Sequence, residues 1–114
     1  MKDQILNNLP TNLMIEGNAS TCEIWINKSL LDPALSLQYA KHSLDGFAWG
    51  YTGSGPGQLA LAILLRFMPA EDALQLYQEF KNEVIAGWAH NDIKIGLDLQ
   101  HEIRTIIDKR KSKK

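Results

Sequence analysis

Leu59-Ala-Leu-Ala-Ile-Leu-Leu65 contains no polar side chain, and Pro56 lies three places upstream, where the first turn of a helix tolerates it. A helix that is apolar on almost every face must be central and packed on more than one side. Ala60 and Ala62 keep its surface small, so a second helix or a sheet can approach closely. The helix is expected to begin at Ser54 or Gly55, with a serine hydroxyl capping free amides. Directly before it runs a loop rich in glycine and aromatic residues, 42 to 58, whose main-chain N–H groups would gather at the positive end of the helix dipole.

The remaining chain arranges itself around that helix. Residues 1–11 are polar and read as a flexible arm or one short helix, because Pro10 interrupts any helix running onward. Leu13 to Ile15 and Thr21 to Ile26 read as strands around a Glu-Gly-Asn-Ala turn. Alternation sets Cys22, Ile24 and Ile26 on one face and Thr21, Glu23 and Trp25 on the other. Asn27-Lys28-Ser29 suggests another turn, and the alternation of Leu35, Leu37 and Tyr39 a third strand. Pro69, Glu71 and Asp72 open a second helix with the stripe Ala73, Leu76, Tyr77, Phe80 and Val84, ending near Ala86 with Gly87 as its C′ residue. The short link at Met68 and Pro69 makes these two helices antiparallel neighbours. Trp88 to Leu97 reads as loop or short extended segment. Asp98 then caps a third helix with the stripe Leu99, Ile103, Ile106 and Ile107. Strands first and helices afterwards give an α+β class: an antiparallel hairpin or three-stranded sheet packed against two or three helices. Such a sheet leaves edges, which either the helices or a second copy in a homodimer must cover.

A chain of 114 residues, 45% hydrophobic and 22% charged, supports one domain, assigned to residues 12–108. No apolar run approaches the roughly 20 residues that span a bilayer, and the N-terminus lacks the apolar core of a secretory signal. With one cysteine, Cys22, an intrachain disulfide is excluded and a reducing cytoplasm is the default. Residues 109–114 hold five of the twelve Lys and Arg, so the body carries seven basic against thirteen acidic residues. That tail, Lys109 to Lys114, is the single place from which nucleic-acid contact would be expected, and a solvated helix end explains it equally simply.

The loop fails the familiar tests for chemistry. A Walker A loop needs Lys-Ser/Thr where this chain has Gln58-Leu59, the dinucleotide fingerprint finds Gln58 at its third glycine, and Thr52 stands where a nucleophile elbow needs glycine. Glycines at 53 and 55 with Ser54 would still let a small anionic ligand approach amides, and Trp49 and Tyr51 either border that spot or seal the core. His42, Ser43 and Asp45 could converge there as acid-base groups, although Asp45-Gly46 is also ordinary turn chemistry. His90, Asp92, His101 and Cys22 lack the spacing of a closed zinc site, and no cofactor is implied. Trp25 reads as a partner-facing anchor or as a residue covered by a helix.

From Gly46 to Leu65 the chain resembles the signature of a small bacterial, archaeal and phage domain family of unknown function, approximately H-S-P-x-G-F-x-W-G-Y-G-G-S-G-P-A-Q-L-A-L-A-I-L. His42, Ser43, Gly46, Phe47, Trp49, Gly50, Tyr51, Gly53, Ser54, Gly55, Pro56 and Gln58 match, and Tyr77, Phe80, Lys81, Val84 and Ile85 resemble its second helix. Leu44, Thr52 and Gly57 depart from it. The resemblance implies no enzyme activity; it suggests an accessory protein of a phage or mobile element. The expectation is a non-enzymatic binding or interaction protein acting on a protein partner or small anion through His42, Ser43, Trp49, Tyr51, Gly53, Ser54 and Gly55. The alternative is a small hydrolase or transferase for acyl or phosphate-bearing substrates, with His42 or Asp45 as base.

Overall fold

The computed structural model describes residues 3–43 and 46–112, so Asp45 lies outside the described residues. Its elements are α1 (Asp3–Asn7), β1 (Leu13–Asn18), β2 (Glu23–Ile26), β3 (Ser29–Leu30), α2 (Ala34–Tyr39), α3 (Ser54–Phe67), α4 (Ala70–Glu83), β4 (Ile93–Leu97) and α5 (Leu99–Ser112). The fold is α+β. One antiparallel sheet in the order β3-β2-β1-β4 turns the side chains of Leu13, Ile15, Ile24, Ile26, Ile93 and Leu97 into the core.

The apolar helix is central, as its composition demands. Every residue of α3 from Gly55 to Leu64 is buried, and Leu59, Leu61, Ile63 and Leu64 have no exposed surface. α4 packs beside it after the two-residue link Met68-Pro69. Asp98 caps α5 as expected, its Oδ1 accepting the His101 amide at 2.9 Å, and Leu99, Ile103 and Ile106 are buried.

Several local expectations need correction. β1 runs through Glu16, Gly17 and Asn18, and the turn falls at 19–22, because Asn18 Oδ1 accepts the amides of Ser20 (2.9 Å) and Thr21 (3.1 Å) while its carbonyl receives that of Cys22. Cys22 therefore leaves the strand face expected for it and adopts a left-handed φ of 60°. The third strand is the short Ser29–Leu30, reached through Asn27 and Lys28, both at positive φ. Residues 35–39 are helical instead. Asp32 Oδ1 accepts the Ala34 amide and Leu37 N bonds Pro33 O, while the alternating Leu35 and Tyr39 point outward and Ser36 is the buried residue. The alternation of Ile93, Ile95 and Leu97 marks a fourth strand, which pairs with β1.

Two helix ends also differ from expectation. Gly53, not Ser54, is the residue before α3, and no side chain caps it. α4 ends at Glu83, and Gly87 closes a 3₁₀ turn at Ile85–Gly87, since buried Ile85 presents its carbonyl to Gly50 N (3.0 Å) rather than continuing the helix.

Near the N-terminus α1 forms, and the segment after it is clasped to α5. Gln100 N bonds Pro10 O, Gln100 Nε2 reaches Asn7 O (3.0 Å), and Arg104 reaches Asn7 Oδ1. At the other end of α5, Lys109 pairs with Glu83 (2.9 Å) and Arg110 with Glu79, so part of the basic tail is helical and tied to α4.

Candidate functional site

Residues 42–58 split into two parts with different surroundings. The first is organised by Gln58, which is completely buried at the start of the apolar helix. Its Oε1 accepts the amides of His42 (2.7 Å) and Ser43 (3.1 Å), and its Nε2 donates to Ser36 Oγ (2.8 Å), which in turn donates to Pro33 O (2.8 Å). One side chain thus fastens α2 and the loop to α3. His42 Nε2 lies 2.8 Å from Tyr77 Oη, with the rings tilted 47°, and Ser43 Oγ donates to Gly46 O. These residues are brought together, but around internal bonds.

The start of α3 is closely packed. A Cβ on Gly55 would stand 2.6 Å from Ala48 Cβ, and the Tyr51 ring occupies the space where a side chain on Gly53 would go. Trp49, only 4% exposed, lies over Gly17 and donates from Nε1 to Asn91 O at 2.9 Å. Glycine at 17 is required by that approach, since a Cβ there would meet the indole at 2.8 Å.

Open space appears on the other side of the loop. A hollow of about 170 Å³ is bordered by Cys22, Phe47, Ala48, Trp49, Tyr51 and His90. A second, about 420 Å³, shares Cys22 and Phe47 with the first and extends to Glu23, Leu30, Leu31, Asp32 and Pro33. A third, about 220 Å³, shares Leu30, Leu31 and Asp32 with the second and reaches Leu35, Ala62 and Arg66. The shared lining residues set the three side by side, as a row of neighbouring hollows that together form a notched groove. Leu30 (53% exposed), Leu35 and Tyr51 (48% each) stand on its rims, and its lining is mainly apolar, with Glu23, Asp32 and Arg66 as its charged side chains and His90 beside them.

The seam between the first two hollows is built rather than incidental. Phe47 N donates to Cys22 O (3.1 Å), Gly46 has φ 107°, and a Cβ on Gly46 would press on Cys22 Cβ at 2.9 Å. Asp92 Oδ1 accepts the Ala19 amide (2.8 Å), holding the neighbouring turn. A separate polar hollow of about 450 Å³ lies against Glu16, Trp25, Lys28 and Asp92; Lys28 and Glu16 form an ion pair at 2.9 Å. Trp25 sits half-buried there, beside charged residues.

Of the residues expected to form one site, Trp49 and Tyr51 border the groove, whereas His42 and Ser43 face Gln58 and Tyr77. None of the four hollows is lined by Gly53, Ser54 or Gly55. Sequence reasoning left out of the site Gln58, whose signal was an amide entering an otherwise apolar helix, and Phe47, although both match the signature, and it missed Cys22, Leu30 and Leu31, which carry no motif. Among the described residues no group of three or more His, Cys, Asp or Glu is placed to hold a metal ion, and no helix is long and apolar enough to cross a membrane.

The model of a family of unknown function, DUF6166, matches residues 12–109. No curated protein and no solved structure matches the chain.

Proposed function

We propose that this chain, which belongs to the DUF6166 family of unknown function, is an interaction module whose groove receives an apolar segment of a partner polypeptide. The observation that carries the reading is the adjacency of three mainly apolar hollows, neighbours through Cys22 with Phe47 and through Leu30 with Leu31 and Asp32. Concave apolar surface with a few polar groups is the usual form of a binding site, and exposed Leu and Tyr at its rim supply contact area without further folding. A binding role also suits the loop's chemistry, because His42 and Ser43 are engaged in holding the fold. An accessory role in a phage or mobile element is the setting that the sequence resemblance suggests for such a module.

Cys22 is the chain's single cysteine, and it lies at the junction of two hollows, which provides a direct test. Peptides selected from a displayed library should be enriched in apolar residues, slow maleimide labelling of Cys22, and lose at least tenfold in affinity on Leu30→Asp. Selected peptides that leave Cys22 labelling unchanged and tolerate Leu30→Asp would refute the reading.

A further inference from the structure

The sheet has two edges of very different character. β3 contributes two residues, too few to template another strand, while β4 contributes five. The bond from Asn27 N to Met14 O shows that Met14, and with it Glu16, direct their main-chain groups toward β2. Leu13, Ile15 and Gly17 therefore serve β4, through their partners Leu97, Ile95 and Ile93. By the same alternation the N–H and C=O groups of Lys94 and Gly96 point away from the sheet. Among the described residues no hydrogen bond reaches them, and both residues are exposed.

We infer that β4 pairs antiparallel with β4 of a second copy about a two-fold axis at Ile95, joining two sheets into one of eight strands. Three features single out this occupant and this register. Lys94 then opposes Gly96 of the other copy and Gly96 opposes Lys94, so the four outward groups on each strand find partners and every residue from Ile93 to Leu97 is matched. Neighbouring registers that also match outward groups set Lys94 against Lys94 or Gly96 against Gly96, and each leaves one strand end unmatched. Charge favours the same choice: Lys94 never faces its own copy, and within its own sheet it sits across from Glu16.

The third feature is Ile95. It lies between buried Ile93 and Leu97 and on their face of the sheet, yet it remains half-exposed. The two-fold places Ile95 against Ile95 as a non-hydrogen-bonded pair, the arrangement in which side chains come closest. An unpaired edge of this kind is otherwise an invitation to uncontrolled association. A closed dimer removes it, because the short β3 strands become the outer edges.

Sedimentation of the full chain at micromolar concentration should give a dimer, and Gly96→Pro, which deletes one outward N–H, should shift it to monomer with an unchanged circular dichroism spectrum. Cross-linking tests the register without relying on that variant. In a Cys22→Ser background, Ile95→Cys should oxidise to a covalent dimer, since antiparallel non-hydrogen-bonded Cα atoms lie about 4.5 Å apart, within disulfide reach. Lys94→Cys should not. A monomeric parent chain overturns the inference, as does a dimer that cross-links through position 94 or fails to cross-link through position 95. Peptide binding in the groove is read separately and is independent of these outcomes.

Discussion

The two halves of the loop before α3 contain similar residues and meet opposite fates. Around Gln58 the polar groups of Ser36, His42 and Ser43 are gathered onto one buried amide; His42 and Ser43 line none of the four hollows, and Ser36 touches the wall of one. Around Cys22, Gly46 and Phe47 the main chain is just as firmly held, but open volume lies on both sides. Glycine and aromatic density therefore marks a rigid segment and does not say which flank is accessible. Accessibility is decided by what the distant parts of the chain bring: Tyr77 fills one flank, while the 19–22 turn and residues 30–33 leave hollows on the other.

Substitutions can break this contrast, beginning with the bonded half. Gln58→Leu leaves the half-buried amides of His42 and Ser43 without their acceptor and takes one of two bonds from the buried Ser36 hydroxyl, which keeps Pro33 O; at about 1–3 kcal/mol for an unsatisfied buried group, a loss of about 3 kcal/mol is expected in urea unfolding. Gly46→Ala forces a side chain into positive φ against Cys22 and should cost about 2 kcal/mol, with the groove distorted as well. Tyr77→Phe removes the hydrogen bond to His42 and the longer one from Gln78 and should cost about 1 kcal/mol. Tyr51→Ser, on the open half, should alter stability by no more than about 0.5 kcal/mol, because the residue is largely exposed, while still weakening peptide binding. If Tyr51→Ser proved as destabilising as Gln58→Leu, the two halves would not differ in the way described.

Much of the architecture was legible in the chain because it depends on short-range chemistry. The uniformly apolar stretch at 59–65 could only be central, Asp98 stood directly before an amphipathic stripe that it could cap, and the α+β class emerged from the order of elements. The failures share a cause. Leu35, Leu37 and Tyr39 alternate like a strand, but the local bond from Asp32 and the buried Ser36–Gln58 contact favour helix, and neither appears in a hydropathy pattern. Ile93 to Leu97 looked extended, yet its role as a sheet edge depends on pairing with β1, far away in sequence. The candidate site suffered most from this. Trp49 and Tyr51 were visible as aromatics in a loop, whereas the groove they border is completed by Leu30, Leu31 and Cys22, each ordinary when taken alone.

The pairing of β1 with β4 has a consequence for how the molecule is made. Leu13 must wait for Leu97, and the clasp at Asn7 and Pro10 must wait for Gln100 and Arg104. During synthesis the hairpin can form early, but one flank of β1 stays open until Ile93–Leu97 has emerged. Such long sequence separation between partners slows folding relative to a chain of local contacts. The segment that completes β1 is thus synthesised long after β1 itself.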